Sequence, residues 1–155
     1  MISIGQVAPD FVLPDAEGNS VKLSDFKGKK VVLYFYSKDM TGGCTAQALG
    51  FKERHRDITA QNAVIIGVSK DGAASHKKFI EKYDLPFILL CDEELNVIKT
   101  YDVWGEKKLY VKTSYGVVRT TYIIDENGFI ADAETKVKAA DNAENVLNKL
   151  CNIGC

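Results

Sequence analysis

The stretch Tyr34-Phe35-Tyr36-Ser37-Lys38-Asp39-Met40-Thr41-Gly42-Gly43-Cys44-Thr45 decides how this chain reads. Residues 31–36 are apolar throughout, the pattern of a strand covered on both faces. Polar and glycine residues follow, then Cys44, and a helical pattern runs over about 45–61, with Ala48, Phe51, His55 and Ile58 on one face. A cysteine in the first turn of a helix meets free amide N–H groups and the positive end of the helix dipole, both of which favour a negative charge. That setting lowers a thiol's pKa and raises its thiolate fraction, and the thiolate is the nucleophile. The bland reading of Cys44 is a small buried hydrophobe, but the loop around it is glycine-rich and polar. A phosphate-binding reading fails, because the loop has neither a GK[ST] ending nor a GxGxxG. The loop also has no Cys-x-x-Cys, which argues against direct disulfide exchange.

The pattern extends outward on both sides. Upstream, 11–13 and 21–23 flank a turn at 15–19, a hairpin signal, and 24–29 holds a helical turn closed by Gly28. Downstream, 64–68 is a second buried strand and 73–83 a helix with Phe79, Ile80 and Tyr83 on its apolar face. Leu85-Pro86 breaks that helix, 87–91 is a third strand, and 95–101 holds another helical turn. Strands at 121–124 and 129–133 surround Asp125-Glu126-Asn127-Gly128, and a last helix spans about 141–151 with Gly154 as its stop. This order predicts an α/β fold in one domain, 1–155, with a mixed sheet flanked by helices and an N-terminal hairpin.

Composition narrows the function. The chain has 155 residues, 46% hydrophobic and 26% charged, with a net charge of −1 and scattered basic residues. No nucleic-acid footprint is expected. There is no basic-then-apolar leader and no run near the roughly 20 apolar residues that span a bilayer, so the expected location is the cytoplasm. There a cysteine is more often catalytic than structural. No metal site is expected: Cys151 and Cys155 offer two thiols, but His55 and His76 sit in helical patterns elsewhere and read as surface or half-buried helix residues. Cys151 completes the apolar stripe of the last helix, Cys91 ends a buried strand in a packing role, and Cys155 is terminal and exposed.

The residues also carry a resemblance. Gly5-Gln6-Val7-Ala8-Pro9-Asp10-Phe11, Leu23-Ser24-Asp25-Phe26-Lys27-Gly28-Lys29, Phe35 through Thr45, Val103-Trp104-Gly105-Glu106-Lys107-Lys108 and Arg119-Thr120-Thr121-Tyr122-Ile123-Ile124-Asp125 resemble the peroxiredoxins, in particular the bacterioferritin-comigratory-protein (Q-type) branch. The resemblance covers nearly the whole chain. It implies a thioredoxin-like fold and a thiol-dependent peroxidase acting on hydrogen peroxide and organic hydroperoxides, without a cofactor. Cys44 is then the peroxidatic cysteine, Thr41 its hydrogen-bonding partner, and Arg119 the cation that stabilises the thiolate and the developing charge. Thioredoxin or a similar dithiol protein is the implied reductant, and the implied assembly is a monomer or dimer.

Two departures from the family pattern stand out. Ser37 takes the place of the family's proline, and Leu49 the place where many relatives carry the resolving cysteine. Gln47 stands where relatives often have an acidic residue. The candidates to resolve a Cys44 sulfenic acid are therefore Cys91, Cys151 and Cys155, or an external thiol. In the family's sheet order Cys91 lies two strands, roughly 10 Å, from the strand before Cys44, beyond the ~7 Å that a disulfide tolerates between Cα atoms. The competing functions are a thioredoxin-like disulfide oxidoreductase and a redox-responsive holdase or sensor.

Overall fold

The structure, a computed structural model, describes residues 1–109 and 112–153. The apolar run becomes β3 (Lys30–Phe35), and every one of its residues is buried. Its side chains alternate between two cores. Val31, Leu33 and Phe35 enter one, and Val32 and Tyr34 enter the other, joined there by Tyr36. A strand loaded on both faces must be central. β3 pairs in parallel with β4 (Ala63–Ser69) and antiparallel with β8 (Thr120–Ile124). β5 (Ile88–Cys91) and β9 (Ile130–Glu134) complete a mixed sheet in the order β5-β4-β3-β8-β9.

Helices α1 (Gly42–Glu53), α2 (His55–Thr59), α3 (Ala73–Tyr83) and α5 (Asn142–Ile153) supply Phe51, Ile58, Phe79, Val146 and Leu150 to the Tyr34 side. The Leu33 side is covered by Phe11, Leu13 and Leu23 of the N-terminal segment and by Val97 and Ile98 of α4 (Asn96–Thr100), with Tyr101 and Val117. Each fully buried side chain of this size stabilises the fold by about 1.5–3 kcal/mol. The two layers of helix and loop over a central mixed sheet are the thioredoxin-like arrangement expected.

The expected N-terminal hairpin is present as β1 (Val12–Pro14) and β2 (Ser20–Lys22), followed by a short 3-10 turn. Gly28, expected to close that turn, adopts a φ of 96°, which favours glycine. The helix expected over 45–61 begins earlier and breaks at Arg54 into α1 and α2. A second hairpin, β6 (Trp104–Leu109) with β7 (Lys112–Val117), is an addition to the expected elements. Gly154 and Cys155 lie outside the described residues.

Candidate active site

Because β3, β4 and β5 are parallel, their carboxyl ends share one end of the sheet. The loop from Tyr36 to Thr41 leaves β3 at that end and delivers Cys44 as the third residue of α1. Thr41 is the N-cap, extended at φ −76° and ψ 155°, yet its side chain makes no cap hydrogen bond. The first-turn amides are therefore unclaimed by that side chain, and a helix start of this kind favours a negative charge. Cys44 is almost fully buried, at 1% exposure.

Sheet register brings in the cation. Phe35 at the end of β3 pairs with Thr120 at the start of β8, so Arg119, just before that strand, lies beside the loop. Its Nη2 donates to the Cys44 sulfur at 3.3 Å and its Nη1 to Gln47 Oε1 at 2.5 Å. Gln47 is fully buried and is itself held by Asn142: its Nε2 donates to Asn142 Oδ1 at 2.9 Å, an oxygen that also accepts from Thr121 Oγ1 at 3.0 Å. Gly43 makes room for the guanidinium, since a Cβ there would stand 3.1 Å from Arg119 Nη2.

Ser37 Oγ lies 3.5 Å from the Cys44 sulfur, so the residue replacing the family's proline adds a hydroxyl to the sulfur's shell. Thr41 Oγ1 sits at the loop's other end and donates to the Lys38 carbonyl at 2.9 Å. A hydroxyl has one proton, so rotation about its C–O bond turns that donor from Lys38 to the neighbouring sulfur. Burial penalises the Cys44 thiolate. Hydrogen bonding from Thr41, the Lys38 backbone and Ser37, together with the Arg119 charge, outweighs that penalty and holds the thiol pKa below its ordinary value.

The structure thus gathers Cys44, Thr41 and Arg119 at one site and leaves Cys91 and Cys151 out of it. Cys91 is buried at the end of β5, paired with Ser69 of β4 and so two strands from β3. Its thiol is pushed up to about 11 by burial and by Glu93 and other nearby acids. Cys151 was expected in the apolar stripe of α5, but it is exposed. The stripe is completed by Ala143, Val146 and Leu150, and the helix rotation turns position 151 outward. His76 is a second correction. Its sequence pattern predicts a surface or half-buried helix residue, but it is fully buried against the Asp39 carboxylate. Its helical spacing gave no sign of a partner 37 residues away. Asn142, which anchors Gln47, has no local sequence signal that marks it.

A cysteine thiolate at a helix start, faced by an arginine on a thioredoxin-like sheet, defines a thiol-based redox enzyme. The AhpC/TSA family profile matches residues 4–133. The chain is 47% identical over 149 residues to peroxiredoxin Bcp of Bacillus subtilis, covering 96% of this chain and 95% of that protein. It is 43% identical to a putative peroxiredoxin bcp of Coxiella burnetii, covering 96% and 99%. Its fold is similar to a cysteine-to-serine mutant of PrxQ from Xylella fastidiosa, with a TM-score of 0.95, 32% identity and coverage of 100% and 99%. Xanthomonas campestris bacterioferritin comigratory protein gives a TM-score of 0.89 at 32% identity, covering 94% and 92%. The chain belongs to the AhpC/TSA family, in its Bcp/Q-type peroxiredoxin branch, and is a thiol-dependent peroxidase. No helix among the described residues is long and apolar enough to cross a membrane.

Proposed function

We propose that Cys44 is the peroxidatic cysteine and that its oxidised form is reduced by an external thiol. The thiolate attacks one oxygen of the peroxide O–O bond, an S–O bond forms, and the O–O bond breaks. Sulfur loses two electrons and becomes a sulfenic acid. The departing oxygen takes the electron pair and a proton, leaving as water from hydrogen peroxide or as an alcohol from an organic hydroperoxide. Arg119 neutralises the thiolate and then the charge that develops on the peroxide oxygens, while Thr41 donates a hydrogen bond. The observation that carries this reading is the 3.3 Å contact of Arg119 Nη2 with a buried sulfur at the start of α1.

The placement of the other thiols favours an external reductant over Cys91 or Cys151. Cys91 lies two strands away and is protonated at neutral pH. Cys151 lies nine residues beyond Asn142, about 13 Å further along α5. Cys155 lies outside the described residues. An external thiol condenses with the sulfenic acid, releasing water and forming a mixed disulfide. A dithiol such as thioredoxin then frees Cys44 with its second thiol.

Thioredoxin-coupled consumption of peroxide, expected to vanish in Cys44→Ser, tests the catalytic role. After one equivalent of peroxide, peptide mapping with a sulfenic-acid trap should mark Cys44 and leave Cys91 and Cys151 as thiols. A disulfide between Cys44 and another cysteine of the chain would overturn the external-thiol cycle. Oxidation of Cys44 no faster than the other thiols would overturn its peroxidatic role.

A further inference from the structure

We propose that Asp39 and His76 form a buried ion pair that positions the Cys44 loop, anchoring it to α3 and β5 so that its donors stay aimed at the sulfur. The inference rests on the reading of Cys44 as the reactive thiolate. Neither residue touches the sulfur, so both are positioning residues.

The hydrogen bonds fix the protonation of the pair. His76 Nε2 lies 2.9 Å from the Leu90 carbonyl, which can only accept, so that nitrogen carries a proton. His76 Nδ1 lies 2.7 Å from Asp39 Oδ2. The Asp39 carboxyl is already occupied as an acceptor: Ser75 Oγ donates to Oδ2 at 2.8 Å and the Tyr36 hydroxyl donates to Oδ1 at 2.6 Å. With the carboxylate taking these bonds, an unprotonated Nδ1 would set lone pair against lone pair. The consistent assignment is an imidazolium against a carboxylate, with the histidine at 0% exposure and Asp39 at 4%. Burial disfavours both charges, yet hydrogen bonding and mutual attraction outweigh it, holding Asp39 below and His76 above their ordinary values.

The pair is set into a wider frame. The Asp39 amide donates to Asp71 Oδ2 at 2.8 Å, and Ser69 Oγ donates to the same oxygen at 2.8 Å. Among the described residues, the charged or titratable groups that act on the pair are Asp71 from the segment after β4, Tyr34 and Tyr36 from β3 and its end, and Cys91 from the end of β5. One carboxylate oxygen each of Asp39 and Asp71 and one ring nitrogen of His76 lie within 4.8 Å of one another, and these hydrogen bonds account for their arrangement.

The frame matters for chemistry because of where Asp39 falls in the chain. On one side is Lys38, whose backbone hydrogen-bonds the Cys44 sulfur. On the other are Met40 and Thr41. Met40 is held at a φ of 67°, a conformation that costs a non-glycine residue about 1 kcal/mol or more. A loop with that strain needs an anchor, and Asp39 is the loop residue whose side chain reaches α3 at Ser75 and His76 and, through His76, the Leu90 carbonyl of β5. Releasing it frees both the Lys38 amide and Thr41 to drift from the sulfur.

The test reads the thiol itself, without peroxide. In the reduced wild-type protein at pH 7.5, ¹⁵N NMR should show both His76 ring nitrogens protonated, with His55 assigned by His55→Gln. In Asp39→Asn and in His76→Gln, iodoacetamide alkylation of Cys44 at pH 6 should slow about tenfold, while His55→Gln alkylates like wild type. Asp39→Asn/His76→Gln should be no slower than either single variant, because residues that act as one unit are non-additive. A neutral His76 ring at pH 7.5 would overturn the proposal, and so would folded single variants whose Cys44 alkylates at the wild-type rate across pH 5–9. If the variants fail to fold, the NMR result decides. Loss of the peroxidatic reading would show separately, as oxidation of Cys44 no faster than the other thiols.

Discussion

Arg119 Nη2 stands 3.3 Å from the sulfur of Cys44, although 75 residues separate the two in the chain. The contact exists because β8 returns antiparallel along β3 and begins where β3 ends. Removing the guanidinium removes the formal positive charge that the described residues bring into contact with the sulfur. Arg119→Met should therefore slow peroxide reduction by about 10²–10³, the loss typical for a preorganised donor at a developing charge. Arg119→Lys should recover part of it, since a lysine restores charge but not two parallel N–H groups for Cys44 and Gln47. Stopped-flow peroxide consumption measures both, and a loss below threefold in the methionine variant would contradict this role.

Gly43 is the position where a methyl group would disturb the site without removing any donor. Its Cβ would stand 3.1 Å from Arg119 Nη2 and 3.8 Å from the Ala139 methyl. The guanidinium must then move by a few tenths of an ångström, and misplacement at a reacting centre costs rate steeply. Gly43→Ala is expected to lower the peroxidase rate about tenfold while its thermal midpoint stays close to that of wild type. A fall in both would mark a folding effect instead.

The Ser37 hydroxyl, 3.5 Å from the sulfur, is a weak partner beside Arg119. Ser37→Ala deletes one hydrogen bond, worth about 1 kcal/mol, so the alkylation rate of Cys44 at pH 6 should drop by less than tenfold. Ser37→Pro, which restores the family's residue, should show the same loss of the hydroxyl. A variant more reactive than wild type would mean that the serine opposes the thiolate.

Much of this was readable in the residues, and the unread parts have physical causes. The doubly apolar 31–36 and the glycine-rich step into Cys44 announced a central strand and a helix-start thiol, because both depend on neighbours in sequence. Arg119 came only through family resemblance, since nothing local distinguishes a strand-end arginine that reaches a sulfur from one that reaches water. β6 (Trp104–Leu109) pairs with β7 in a two-stranded sheet apart from the five-stranded one, and its run Gly105-Glu106-Lys107-Lys108 carries no alternation of apolar and polar residues to mark a strand. The burial of His76 has no local signal for the same reason: its partner Asp39 lies on another element.

Gly67 is a core position with no room to spare. It faces Tyr34 on β3 and Leu89 on β5, and a Cβ there would stand 2.8 Å from Tyr34 Cζ and 2.7 Å from Leu89 Cδ2. Both side chains are buried, so neither can swing into solvent. Gly67→Ala should destabilise the fold by about 1–3 kcal/mol, the usual cost of overpacking. Urea denaturation measures it, and an unchanged midpoint would show that the sheet can open at this point.

The Asp39–His76 pair gives stability a pH window. The carboxyl is held below its ordinary value, so its contribution is present above about pH 4 and is lost as pH falls through the lowered folded value. The imidazole is raised, so its contribution is complete below about pH 6.5 and is lost as pH rises through the raised folded value. The pair therefore stabilises most between about pH 4 and 6.5. Cys44, with its lowered thiol pKa, acts in the opposite sense on the alkaline side, so the comparison belongs in a Cys44→Ser background. Cys91, pushed up to about 11, would add its own loss above the ordinary thiol range, which confines the measurement to pH 8.5 and below. Urea midpoints for Cys44→Ser and for Cys44→Ser/His76→Gln should differ most near pH 5.5, and the difference should shrink as pH falls below about 4 and as it rises above about 6.5. A difference that stays constant over that range would mean that His76 contributes through its shape rather than its charge.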